Sequence, residues 1–74
     1  MNLNEREELI IKFEKYKNLL TQTQRQAFHL HYIEDLSFAE IATIVATTRQ
    51  AVNDAVRKTI KKLNKFDEQI DEVF

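Results

Sequence analysis

Apolar residues recur along this chain at helical spacing, in four stretches separated by short polar breaks. In the first, Leu9, Phe13, Tyr16 and Leu20 step by four, three and four residues. That spacing puts them on one face of a helix predicted from about Asn4 to Leu19, with Ile10 and Leu19 widening the stripe. Glu5, Glu7 and Glu8 near its start and Lys15 and Lys17 near its end suit the helix dipole. Thr21 and Gln24 have the spacing of a capping box, so a second helix starts there. It runs to about Glu34 and buries Ala27, Phe28, Leu30, His31 and Tyr32. Ser37 and Glu40 repeat the signal just before Phe38, Ile41 and Ile44 and open a short third helix. After the turn Val45-Ala46-Thr47-Thr48 a fourth begins near Arg49. Its cap is Thr48 or, one residue earlier, Thr47, since Thr47 and Gln50 also have capping-box spacing.

In the fourth stretch Val52, Val56, Thr59, Leu63, Phe66, Ile70 and Val73 step alternately by four and three, flanked by Ile60 and Phe74. A helix of about 25 residues is roughly 37 Å long, more than a three-helix core covers. Phe66, Ile70, Val73 and Phe74 therefore need a partner of their own. Either they fold back on the first helix or, with Leu63, they form the interface of a homodimer.

Composition narrows the class. Seventy-four residues make one domain, with a core small enough that its caps and packing matter. There is no Cys, which excludes disulfides and thiolate metal sites and suits the reducing cytoplasm. There is no Gly, hence no glycine loop to cradle a phosphate. No apolar run approaches the roughly 20 residues that span a bilayer, and the opening residues lack a signal pattern, so neither a membrane nor secretion is expected.

Net charge is −1, but it is unevenly placed. Residues 48–65 carry six Lys or Arg against Asp54 alone, whereas 66–74 form an acidic amphipathic extension with four carboxylates. A near-neutral chain thus holds one basic helix, and that helix follows a tight turn. A helix, a turn and a second helix with polar side chains on its leading half make a helix-turn-helix. In it Arg49 suits guanine or phosphate, Gln50 and Asn53 suit adenine, and Arg57 and Lys58 suit phosphates. Lys61 and Lys62 extend the nucleic-acid face and, with Lys65, run on beyond the groove. The competing reading is a solvated amphipathic helix, and Asp54 favours it, because a carboxylate facing phosphate is repelled.

Other chemistry is poorly supported. Ser37 has no base or oxyanion motif beside it, and capping accounts for it. His29 and His31 point to different sides of a helix. The spacing of His31 and Asp35 alone makes a weak metal pair, and a hydrogen-bonded, partly buried His31 is the better reading.

Two motifs carry a resemblance: Ser37-Phe-Ala-Glu-Ile-Ala42 and Thr48-Arg-Gln-Ala-Val52. With residues 25–32 and 61–63 they resemble region 4 of bacterial sigma-70-type factors. With residues 16–21 and 31–36 the chain is similar, over about residues 9–67, to the YlxM family of small helix-turn-helix proteins. The resemblance implies an all-α, four-helix helix-turn-helix domain without a wing, spanning residues 1–74 and ending in a long C-terminal helix. It implies no enzymatic activity, no cofactor and no small-molecule substrate. It also implies a regulatory protein that binds DNA, or an accessory that docks on the signal recognition particle or its RNA. Two departures follow. The sigma-like turn has Gly and then an apolar residue where this chain has Ala46 and Thr47. Left-handed Ala costs about 1 kcal/mol relative to Gly, so a differently built turn is expected. Relatives also carry a longer C-terminal helical extension, whose contribution is expected to be reduced here.

Overall fold

The computed structural model of the chain describes residues 4–73, and side chains as far as residue 68. It is all-helical, with no strand among the described residues. Helix α1 spans Glu5–Tyr16, α2 Gln22–Phe28, α3 Phe38–Ile44 and α4 Arg49–Val73. Helix α1 tightens into a 3-10 turn, Lys17–Leu19, and α2 continues into a π turn, His29–Ile33.

The caps form where the spacing places them. The Asn4 side chain accepts the Glu7 N–H at 2.8 Å. Thr21 and Gln24 make a reciprocal capping box, as do Ser37 and Glu40. The Ser37 hydroxyl accepts the Glu40 N–H at 3.1 Å, and the Glu40 carboxylate accepts the Ser37 N–H at 2.9 Å. The Ser37 backbone N–H, and less strongly the Ser37 hydroxyl facing the carboxylate, hold the Glu40 carboxyl below the usual glutamate range.

Two apolar clusters share α4. In one, Leu9, Phe13 and Tyr16 of α1 meet Leu20, Phe28 and Leu63. Its centre is a column of rings, with Phe13 stacked on Phe28 at 4.5 Å and Phe28 on Tyr32 at 4.6 Å. Burial raises the Tyr32 phenol, Glu5 nearby adds to the rise, and Arg6 opposes it. The other cluster lies beneath the helix-turn-helix and joins Ala27, Ile41 and Ala42 to Val52 and Val56. Thr59, the one polar residue of the stripe, is fully buried and donates its hydroxyl to the Ala55 carbonyl at 2.7 Å. The molecule is 42 Å along its longest axis, so α4, about 37 Å at 1.5 Å per residue, runs nearly its whole length.

Several expectations need correction. Leu19 does not widen the α1 stripe: it is 61% exposed. The α-helix ends at Tyr16, and after the 3-10 turn the chain leaves in an extended conformation at Leu20 (φ −94°, ψ 156°), whose side chain is the one that reaches the core. Ile44 is 57% exposed at the end of α3, where Ile41 and Ala42 already fill the contact with α4. Of the buried set expected on α2, Ala27 and Phe28 are buried, and Leu30, His31 and Tyr32 are half-buried on the π turn. His31 Nδ1 lies 2.9 Å from the Leu36 carbonyl, a hydrogen-bonded, half-buried ring. Leu63, expected at an interface between subunits, lies fully buried against α1, and Phe66 is half-buried beside Tyr16, ring centroids 5.9 Å apart. Folding of this stretch onto helix one therefore accounts for both. The side chains of Ile70, Val73 and Phe74 lie outside the described residues.

The two tight joints both use a left-handed residue. Asp35, at φ 60°, ends the π turn, and Ala46, at φ 55°, ends α3. At Ala46 the Thr47 N–H reaches back to the Ala42 carbonyl at 2.9 Å, the 6→1 bond of a Schellman motif. The turn is thus built in the left-handed geometry with Ala in the glycine position. At Asp35, Arg6 of α1 completes the joint. Its guanidinium donates to the Tyr32 carbonyl, at 2.6 Å from Nη2 and 3.2 Å from Nε, and pairs with the Asp35 carboxylate. A cation at a helix C-terminus complements both the free carbonyls and the dipole.

Candidate nucleic-acid interface

Helix α4 starts where the turn delivers it. The Thr48 hydroxyl accepts the Ala51 N–H at 3.0 Å, and the Val52 N–H bonds the Thr48 carbonyl at 3.1 Å. Thr48 rather than Thr47 is therefore the cap. From there each residue turns about 100° around the axis. Val52, Val56, Thr59 and Leu63 point into the core. On the opposite side run Gln50, Asp54, Arg57, Lys58, Lys61 and Lys65, all exposed. Arg49 is exposed at the helix start. The residues expected to face a nucleic acid thus fall into three groups.

Arg49, Gln50, Arg57 and Lys61 form an open polar surface. Among the described residues none of the three cations, nor Lys65, enters an ion pair. Lys58 is exposed but paired: its Nζ lies 3.0 Å from Asp54 Oδ2, one turn earlier. The charges of this pair cancel in the middle of the basic face. Asn53 and Lys62 are half-buried on the flanks. Lys62 Nζ donates to Gln24 Oε1 at 3.0 Å, and the same oxygen takes the Thr21 N–H of the capping box at 3.2 Å. In this arrangement Lys62 ties α4 to the start of α2.

The periodicity of α4 was enough to find the face, but not these pairings. The Asp54–Lys58 pair had a signal, an acid four residues before a base on a helix. The Lys62–Gln24 bond joins residues 38 apart and had none. Among the described residues no group of three or more His, Asp or Glu is placed to hold a metal ion. No helix there is long and apolar enough to cross a membrane.

Comparison with known proteins agrees in fold. Residues 3–73 match the model of a helix-turn-helix family described as YlxM / p13 like, designated UPF0122. A UPF0122 protein of Ureaplasma urealyticum is 37% identical over 95% of this chain and 71% of its own length. One from Clostridium perfringens is 40% identical over 92% of this chain and 61% of its own. One from Bacillus cereus is 41% identical over 78% of this chain and 53% of its own.

Proposed function

Because the chain belongs to the YlxM / p13-like helix-turn-helix family, we propose that it is a cytoplasmic, sequence-specific DNA-binding regulator with no reaction of its own. The observation that carries this reading is the outward row of α4. Directly after the helix-turn-helix joint, Arg49 and Gln50 stand at the leading end, and Arg57, Lys58 and Lys61 follow on the same exposed side. Side chains at the leading end of such a helix reach base edges, and cations further along meet the phosphate backbone. Asn53 and Lys62 stand at the margins of the contact, Lys62 after release from Gln24.

Anisotropy titrations of the protein on duplex promoter fragments test the proposal. About four phosphate contacts make log K fall against log salt with a slope near −4. Absent binding, or binding that does not respond to salt, refutes it.

The neutralised Asp54–Lys58 pair favours a second reading, an accessory that docks on the signal recognition particle or its RNA. A face whose centre carries no net charge is poorly matched to phosphate alone. In that case the protein co-purifies with the particle, and replacing Lys61, Lys62 and Lys65 by Glu abolishes the association. Unchanged association removes the basic helix from this account.

A further inference from the structure

Asp54 is the only carboxylate in residues 48–65. It lies about 170° around α4 from the mean direction of Val52, Val56, Thr59 and Leu63, at 3.6 residues per turn. It therefore stands on the crest of the helix. Arg57 and Lys58 lie on either side of that crest, each about 130° from the core direction. For a helix laid in a major groove, the crest faces the groove floor and the two flanks face the phosphate walls. A carboxylate on a flank is repelled, whereas one on the crest meets base edges.

One oxygen of Asp54 is occupied. Oδ2 holds Lys58 Nζ at 3.0 Å, while Oδ1 has no hydrogen-bond partner among the described residues. The pair is 61% and 66% exposed, so neither side chain is held by the core. Exposed to water in the free protein, that oxygen needs a donor from a base edge once a groove displaces its water. In the major groove guanine and thymine present only acceptors, and adenine places its amino group beside the acceptor N7. Cytosine presents an amino group and no neighbouring acceptor of its own.

Resting on the DNA-binding reading, the geometry points to Asp54 as a specificity-determining residue. Its Oδ1 accepts a hydrogen bond from the exocyclic amino group of a cytosine in the major groove, and Lys58 on the flank, with three donors, bridges Oδ2 to the phosphate wall.

Selection of bound duplexes from a randomised pool, with the full chain and its Asp54→Asn and Asp54→Ala variants, tests this. Asp54 is exposed, so both variants keep the helical circular dichroism of the parent. The parent selects duplexes with cytosine at one fixed position. Asp54→Asn moves the preference at that position to adenine, the base that suits an amide. Asp54→Ala loses preference there and only there. Affinity of either variant for the parent's site falls about tenfold. An unchanged cytosine preference in both variants overturns the assignment and leaves Asp54 as a surface ion pair. So does tighter binding to every sequence alike. A parent chain that selects no duplex at all overturns the DNA-binding reading itself.

Discussion

Ala46 occupies a position whose backbone suits glycine, and replacing it should stabilise the fold. At φ 55° its Cβ crowds the following carbonyl, a strain of about 1–2 kcal/mol for a residue with a side chain. Glycine removes that strain but loses more backbone freedom on folding, a cost of about 0.5–1 kcal/mol. Ala46 is exposed, so no packing is lost with its methyl group. The net gain for Ala46→Gly is about 0.5–1 kcal/mol. In a domain of this size that raises the melting temperature by roughly 2–8 °C. The companion substitution Ala55→Gly puts the same change in the middle of α4. There it costs about 1 kcal/mol in propensity, plus some of the contact that half-buried Ala55 makes with Val52 and its neighbours. Urea unfolding followed by circular dichroism measures both. If Ala46→Gly is neutral or destabilising, the left-handed turn is not strained and this account of the joint fails.

Phe28 is wholly buried between the Phe13 and Tyr32 rings, so Phe28→Ala should cost about 3–5 kcal/mol and leave the chain largely unfolded in calorimetry at 37 °C. The Glu40 carboxyl is held low by its cap bonds. Its stabilising contribution is therefore complete above the ordinary glutamate range and is lost as pH falls through its lower folded value. Glu40→Gln keeps the acceptor but cannot titrate, so its unfolding midpoint should fall less steeply with acid than that of the parent. Pairing between copies is a proposal that rests on Ile70, Val73 and Phe74, since Leu63 and Phe66 are engaged with α1. Sedimentation should show a dimer that Ile70→Asp converts to monomer; a parent that is monomeric at high micromolar concentration refutes it.

The local devices of this fold were legible in the sequence, and the joints between its elements were not. Thr21 with Gln24, and Ser37 with Glu40, are signals confined to four residues, and both cap as their spacing predicts. The 4-3 stripe of α4 likewise needs only one helix to be read, and Val52, Val56, Thr59 and Leu63 are all buried. The π turn at His29–Ile33 inserts a residue into a helix whose composition gives no hint of it. Arg6 reads as an ordinary charged residue near a helix start. Its contacts, with Tyr32 and Asp35, lie 26 and 29 residues away. Ala46 was legible as a misfit, but the expectation of a different turn was wrong. The Thr47–Ala42 bond and the burial of Ile41 and Val52 on either side fix the geometry, and the alanine conforms to it. On the candidate site, helical period found the exposed row. It could not separate Arg57, which is free of ion pairs, from Lys62, which is tethered to Gln24.

The two faces of α4 also divide how the protein can change over evolutionary time. Val52 and Val56 belong to one cluster, Leu63 belongs to the other and Thr59 is fully buried, so a change at any of them disturbs the packing of the core. Gln50, Asp54, Arg57 and Lys61 are exposed on the opposite side, and substitutions at such surface positions usually shift stability by no more than about 0.5 kcal/mol. Lineages can therefore rewrite the outward row one residue at a time, acquiring new partners without passing through an unfolded intermediate. Lys62 is the exception, since its bond to Gln24 ties the scaffold to the face. The helix separates what must be inherited intact from what is open to innovation.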